Sequence, residues 1–140
     1  MTLHTGHFIR AGLAATLLSV TLVAGAAQAG KTAQGLSYLS GGISLDERTA
    51  LQTQGSGYSL WVVTAAMKSG AYLSSVHVTI RDAKQTAVFD GQLDGPWLFV
   101  DLPFGRYEVQ AAFNGVVKKR ITTIHPGDHH QALFYFSPSD

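Results

Sequence analysis

Three histidines and one aspartate fall within the six residues of His125–His130, whose sequence is HPGDHH. Neutral imidazole nitrogens and a carboxylate are ligands that zinc or copper accepts. The Pro-Gly pair, however, directs these side chains apart, and the chain contains no cysteine to complete a ligand set. The segment is therefore predicted to be an exposed polar turn, with no bound metal and no cofactor. A small hydrolase built on these histidines is only a third hypothesis for the function.

Other potential catalytic groups do not form a recognisable motif. Asp90 and Asp94 lie close together on a predicted loop, where a turn-forming role explains them. Ser74, Ser75 and Ser137 have no histidine at the spacing of a known nucleophile motif. The sequence thus predicts a protein that is not an enzyme and has no catalytic residues.

Three aromatic residues are the candidates for ligand binding: Trp61, Trp97 and Phe99. Trp97 and Phe99 alternate with Leu98 and so belong to the opposite face of one strand. Exposed tryptophans stack on sugar rings, which gives carbohydrate binding as an alternative function. The simpler interpretation is that a second sheet, a short helix or a partner subunit covers the three rings.

The elements that would position these residues are mainly strands. From Tyr58 onward, apolar and polar residues alternate, and turn signals recur about every 8–12 residues. This pattern predicts an all-β fold, a seven-stranded antiparallel β-sandwich of Greek-key type with one short N-terminal helix. The seven strands are predicted at 58–66, 76–81, 86–90, 97–102, 106–113, 116–124 and 131–136.

The segment before the helix, residues 30–43, is rich in glycine and small polar groups. Such a composition predicts that its leading part is flexible. A short strand over 37–43 remains an open alternative.

The helix is predicted from a capping box over Ser44–Glu47. The serine hydroxyl is expected to accept from the Glu47 backbone N–H, while the Glu47 carboxylate accepts from the Ser44 N–H. Good helix formers follow up to a Gly-Ser-Gly breaker at 55–57, which gives a helix over about 45–53. The alternative is a polar linker.

A basic triplet, Lys118-Lys119-Arg120, lies within a predicted strand. Alternation places Lys119 on the face opposite Lys118 and Arg120, so the three charges do not form a continuous patch. The triplet is predicted to mark an edge strand, on which lysines deter pairing with other chains.

Residues 1–29 have the charged, apolar and small-residue order of a cleavable signal peptide. Arg10 precedes an apolar run at 11–24, and Ala27-Gln28-Ala29 offers a cleavage site after Ala29. The run of about 14 residues is shorter than the ~20 that span a bilayer as a helix. The sequence predicts export to the periplasm and no membrane span after cleavage.

Removing 29 of the 140 residues leaves 111, which suits one domain. The predicted domain organisation is the signal peptide at 1–29, a helix-bearing segment at 30–57 and a β-sandwich at 58–138. Without Arg10, nine basic and nine acidic residues remain. A neutral domain has no general attraction for nucleic acid or for an anionic membrane, so neither is an expected partner.

The run Leu102–Ala111, with sequence LPFGRYEVQA, and the later Gly115 resemble the carboxypeptidase regulatory-like domains. These belong to the transthyretin-like, or prealbumin-like, β-sandwiches. The resemblance thus implies a fold of the prealbumin-like or carbohydrate-binding-like class. Val76–Asp82 is similar to the strand that precedes the family's apolar strand, and the resemblance covers about 58–136. The chain is expected to be a stand-alone, exported bacterial member, and it departs from the family in two ways: the family's domains usually accompany a peptidase or a receptor, and residues 30–57 lie outside the minimal pattern.

Together these features predict a secreted, non-catalytic periplasmic binding or interaction module. Its expected partner is an envelope protein or a glycan. The alternative is the carbohydrate-binding domain that uses Trp61, Trp97 and Phe99.

Overall fold

A computed structural model of the chain describes residues 27–137. Within this range the protein is mostly β, with nine strands in two sheets and one short helix. The elements are β1 Gln28–Lys31, β2 Ser37–Gly41, α1 Leu45–Gly55, β3 Leu60–Ala66, β4 His77–Arg81, β5 Ala87–Gln92, β6 Trp97–Val100, β7 Gly105–Phe113, β8 Val116–Ile124 and β9 His130–Phe136.

The two sheets share one apolar core. One sheet has five strands in the order β1-β2-β6-β3-β9, and the other has four in the order β5-β4-β7-β8. Val78, Ile80 and Val109 of the second sheet are fully buried against Leu98 and Phe134 of the first. The apolar residues that alternate along β4 and β7 thus face this core, and the Asn114-Gly115 turn between β7 and β8 has the positive φ angles of a tight hairpin.

The prediction of seven antiparallel strands was wrong in two respects. The described residues contain nine strands, and β3 pairs with β9 in parallel. The two additional strands are β1 and β2, of which β2 lies within the 37–43 segment left open as a strand, and they pair antiparallel from Gln28↔Ser40 to Lys31↔Ser37. Their glycine-rich sequence has little apolar alternation, so pairing rather than local propensity determines their strand conformation: β2 pairs with β6, and β1 pairs with β2.

Helix α1 begins as the capping box predicted, with one different partner. The Ser44 hydroxyl accepts from the Glu47 backbone N–H at 3.1 Å. The Glu47 carboxylate accepts from the backbone N–H of Ile43 at 3.0 Å, one residue before the predicted Ser44. The helix is two residues longer than expected and contributes Leu51 and Gly55 as its buried residues.

The predicted signal peptide lies outside the described residues except at its end. Gln28 and Ala29 form the first half of β1. Across residues 27–137, no helix has the length and apolar character needed to cross a membrane.

The basic triplet lies on an edge strand, as predicted, and two of its members reach the other sheet. The Lys118 ammonium and the Arg120 guanidinium donate to the backbone carbonyls of Tyr135 and Leu133 on β9 at 2.5 Å and 2.8 Å. Both cations also lie over aromatic rings of β9, those of Phe136 and Phe134. Lys119 points to the opposite face, 3.8 Å from Glu108. Lys118 and Arg120 therefore cover the outward carbonyls of β9.

This arrangement predicts a change in association state. Replacing both Lys118 and Arg120 with serine uncovers acceptors along the β9 edge, and uncovered strand edges pair with other chains. In sedimentation velocity, the double variant is expected to form larger species as its concentration rises. Lys119→Ser is the matched control and should sediment like the unsubstituted chain. Equal behaviour of the double variant and this control would contradict the role assigned to the pair.

Candidate functional site

The histidine-rich turn at 125–130 is organised by its aspartate. The Asp128 carboxylate accepts from the His125 backbone N–H at 2.8 Å and from His130 Nε2 at 3.0 Å. These two hydrogen bonds lower the pKa of Asp128, and the one from the His125 backbone has the larger effect. His129 instead donates from Nδ1 to the Tyr58 carbonyl at 2.9 Å. The imidazoles thus have separate partners, and among residues 27–137 no group of three His, Cys, Asp or Glu residues is arranged to hold a metal ion.

A shallow cavity of about 350 Å³ lies beside this turn, at one end of the two sheets. The Phe104 side chain at its rim is 68% exposed and lies at 5.6 Å, between ring centroids, from His125. Phe104 is the central residue of the Pro103-Phe104-Gly105 connection that leads into β7. The tyrosine two residues after the turn, Tyr107, is buried instead and donates from its hydroxyl to the Pro103 carbonyl at 2.9 Å.

The three aromatic candidates, Trp61, Trp97 and Phe99, cluster on the outer face of the five-stranded sheet beneath α1. Trp97 is 5% exposed and Phe99 is 1% exposed, while Trp61 is half-buried. The Trp61 indole N–H donates to the carbonyl of Gly55 at 3.1 Å. A Cβ atom at Gly55 would lie 2.3 Å from the Trp61 ring, so only glycine allows the helix to approach this closely. The short helix covers these rings, and Trp97 and Phe99 offer no open face to a sugar.

A larger cavity, about 490 Å³, lies at the side of the molecule where β5 faces the β1–β2 hairpin. We call it the edge cleft. One wall is the continuous stretch Ala87–Asp94, which includes the whole of β5. The other wall comes from the hairpin, and the ring of Tyr38 meets that of Phe89 edge-on at 5.3 Å between the walls. The hairpin residues that line the cleft are Gln28, Lys31, Thr32, Ala33, Gln34, Tyr38 and Ser40.

Ser40 is the unusual residue of the edge cleft. It is 4% exposed, and its register partner on β6 is the fully buried Leu98. Its hydroxyl oxygen is buried and has no hydrogen-bond partner among the described residues. Leaving a buried polar group unpaired costs about 1–3 kcal/mol. A second such group within residues 27–137, the Trp97 indole N–H, lies in the aromatic cluster beneath α1.

Acidic groups mark the far end of the edge cleft. Asp90 accepts at Oδ1 from His77 Nε2 at 2.5 Å and from the Thr79 hydroxyl at 3.1 Å. The hydrogen bond from His77 is the main reason that the pKa of Asp90 lies below its usual value. Asp94 is exposed at the same end. Lys31, the cation on the opposite wall, donates to the Ser37 hydroxyl at 2.8 Å.

Thr79 and His77 do not form the hydrogen-bonded pair of a nucleophile and its base. A threonine nucleophile must donate its proton to a base such as histidine, which an acid then orients. In this protein Thr79 and His77 both donate to the same oxygen of Asp90, so the histidine does not receive the threonine proton. The edge cleft therefore offers hydrogen bonds, a negative end and an unpaired buried hydroxyl.

The edge cleft contains residues that the sequence does not single out. The glycine-rich composition of 30–43 predicts flexibility, so neither Ser40 nor Lys31 is a candidate on sequence grounds. Asp90 is predicted only to form a turn beside Asp94. A serine between Leu39 and Gly41 in the open 37–43 strand is the one available signal, and its burial depends on the pairing of β2 with β6.

A scan against protein-family models found no match for the chain, and a search of curated proteins found no significant similarity. The resemblance of Leu102–Ala111 to the carboxypeptidase regulatory-like domains therefore stays a prediction.

Proposed function

We propose that this chain is an exported, non-catalytic binding module of the bacterial periplasm, which binds an envelope component in the edge cleft. We further propose that its two sheets form a β-sandwich of the prealbumin-like, Greek-key kind. The wall stretch Ala87–Asp94 and the hairpin residues Lys31, Tyr38 and Ser40 would contact the partner.

The observation that carries this proposal is the Ser40 hydroxyl. It is buried, unpaired among the described residues, and placed at the wall of the edge cleft. Replacement by alanine would remove the cost of an unpaired buried group, so folding alone does not explain a serine there. A ligand that donates to or accepts from this hydroxyl would explain it.

The absence of catalysis is proposed from the hydrogen bonds of the titratable groups. His77, His129 and His130 each form a hydrogen bond with an acid or a backbone carbonyl. Asp90 accepts from both His77 and Thr79. These groups are not arranged to activate a hydroxyl. A binding role makes no such demand, because it requires only shape and paired polar groups.

The carbohydrate alternative depends on open aromatic rings. Trp97 and Phe99 lie beneath α1, and Trp61 contacts Gly55 of that helix. No specific observation on this face favours a sugar. A glycan therefore stays a candidate only as an occupant of the edge cleft, where the titration described below includes one.

Export is tested by processing. The full chain is expressed in a Gram-negative host, the periplasmic fraction is separated, and the protein is weighed by mass spectrometry. The expected product is periplasmic and begins at Gly30, after cleavage following Ala29. A cytoplasmic product that retains Met1 would contradict export. Such cleavage removes Gln28, which lines the edge cleft opposite Ser40, and leaves Gly30 and Lys31 of β1 paired with β2.

The binding site is tested by a titration of the isotopically labelled protein, purified after expression of the full chain. Two probes are used, an extended hexapeptide and the sugar chitotetraose, and amide signals are followed by NMR. The amides of Ser40 and of residues 87–94 are expected to shift in a saturable way with one of the probes. Shifts confined to the histidine turn, or no saturable shift with either probe, would contradict the edge cleft as the binding site.

A further inference from the structure

The wall of the edge cleft formed by β5 is the open edge of a sheet. The four-stranded sheet ends at β5, which pairs with β4 on its other side. Just beyond β5, the Leu93 N–H donates to Val76 and the Leu93 carbonyl accepts from Ser75, so both backbone groups of Leu93 point towards β4. In an antiparallel pair this direction alternates with every residue. The N–H and C=O groups of Asp90 and Gln92 therefore face the cleft.

One end of this edge is already covered by the protein itself. The Gln34 side-chain amide donates to the Ala87 carbonyl at 3.0 Å, and the ladder with β4 has an irregularity next to it, between Ile80 and Arg81. Bulges and side-chain caps are the means by which proteins block an edge strand. The block ends before Asp90, so the uncovered part of β5 is the part nearest the acidic end of the cleft.

The edge on the opposite side of the molecule is covered. There β9, the edge of the other sheet, has its Leu133 and Tyr135 carbonyls occupied by Arg120 and Lys118. The hollow beside β9 is lined by these same two cations, so an added strand would have to displace them. Beside β5 the corresponding space is the edge cleft. This difference points to the β5 side as the place where a strand can be added.

The charges at this edge indicate what kind of strand it accepts. Asp94 is exposed at the cleft, and Asp90 keeps a lowered pKa and so remains ionised at neutral pH. The ammonium group of Lys31 lies on the other wall, where it donates to the uncharged Ser37 hydroxyl. The β5 end of the cleft is therefore negative, and a cationic side chain on the incoming segment complements it.

We infer that the edge cleft takes an extended, basic segment of another polypeptide, which adds as a strand to β5. The backbone of the segment pairs with Asp90 and Gln92, a lysine or arginine lies near Asp94, and a polar group reaches the Ser40 hydroxyl. Main-chain hydrogen bonds supply affinity in this mode, and alternate side chains supply specificity. This inference rests on the proposed function, because it names the partner class of the same cleft.

The test uses backbone methylation of a peptide, which leaves the protein unchanged. The probe is the acetylated and amidated hexapeptide Lys-Thr-Val-Lys-Val-Thr, in three forms: unmodified, N-methylated at its odd residues and N-methylated at its even residues. In an added strand only one of these two sets of N–H groups faces β5. Binding to the labelled protein is measured by NMR. One methylated form is expected to bind at least tenfold more weakly than the unmodified peptide, and the other to bind within threefold of it.

Two protein variants complete the test. Gln92→Pro removes an N–H that faces the cleft, at an edge position where proline is tolerated. This variant should bind the unmodified peptide at least tenfold more weakly, while the rest of its amide spectrum is preserved. The Asp94→Asn variant should bind the same peptide several-fold more weakly than the unsubstituted protein at low salt, and the difference should be much smaller at high salt. A peptide with glutamate in place of lysine should bind more weakly than the basic one.

Other results would overturn the inference and separate it from the proposed function. Equal binding of the two methylated forms, with shifts still at Ser40 and residues 87–94, would overturn strand addition but leave the cleft as a binding site. Binding of chitotetraose there without the peptide would do the same. No saturable shift at the cleft with any probe would overturn both. If Gln92→Pro fails to fold, the two methylated peptides alone decide the result.

Discussion

Replacing Tyr107 with alanine is expected to lower the free energy of unfolding by about 3–5 kcal/mol. The ring is 6% exposed, and its hydroxyl donates to the Pro103 carbonyl at 2.9 Å. Burial raises the pKa of this hydroxyl. The substitution removes a large ring from the shared core and also the hydrogen bond that closes the Pro103–Gly105 turn. Total stabilities are about 5–15 kcal/mol, so the variant should unfold at a much lower denaturant concentration.

Tyr107→Phe separates the two contributions. It keeps the ring and removes only the hydroxyl, so a loss of about 0.5–1.5 kcal/mol is expected. Urea unfolding followed by circular dichroism measures both variants. A loss below about 1 kcal/mol for Tyr107→Ala would mean that the ring is not part of the core and that the register of β7 is incorrect.

Replacing Phe99 with alanine is expected to have an effect of the same size, about 3–5 kcal/mol. Phe99 is 1% exposed and contacts Trp61 edge-on at 4.4 Å between ring centroids. The matched control is Phe104→Ala, because Phe104 is the same residue type but is 68% exposed. The control should change the free energy of unfolding by no more than about 0.5 kcal/mol.

The fluorescence of the tryptophans provides a second measurement for this pair of variants. Truncation of Phe99 opens space beside Trp61 beneath α1, so the emission is expected to shift to longer wavelength. Phe104→Ala should leave it unchanged, because Phe104 lies at the end of the sheets near His125. Equal losses of stability for the two variants would contradict the placement of α1 over the aromatic cluster.

The parts of the fold that can be predicted from the sequence are those specified by local patterns. Apolar alternation identifies the buried faces of β4 and β7, and the serine and glutamate of Ser44–Glu47 identify the start of α1. The Asn114-Gly115 pair identifies a hairpin because both residues adopt positive φ. Each of these signals acts between residues near one another in the chain.

The parts that cannot be predicted depend on contacts between distant residues. β1 has no apolar period and becomes a strand through its pairing with β2. The parallel pairing of β3 with β9 joins segments about 70 residues apart, which no local pattern encodes. The cover over Trp97 and Phe99 depends on the docking of α1 through Gly55, whose role is evident only from its distance to Trp61.

The edge cleft cannot be predicted from the sequence for the same reason. Its walls come from 28–40 and 87–94, and the burial of Ser40 results from the pairing of β2 with β6. The glycine-rich character of the first wall indicates flexibility. The edge cleft can therefore be recognised only from the fold, because no sequence motif marks it.

The central claim, that the edge cleft is a binding site, is tested most directly by comparing stability and binding in Ser40→Ala. Ser59→Ala is the matched control, because the buried Ser59 hydroxyl donates to the Leu102 carbonyl at 2.9 Å and accepts from the Leu102 N–H at 2.8 Å. The free energy of unfolding and the affinity for the basic hexapeptide are measured for both variants. Ser59→Ala is expected to lose about 1–3 kcal/mol and to bind normally, since Ser59 is fully paired and does not line the cleft. Ser40→Ala is expected to be as stable as the unsubstituted chain, or more stable by about 1 kcal/mol, and to bind several-fold more weakly. A Ser40→Ala variant that loses stability and keeps its affinity would contradict the claim.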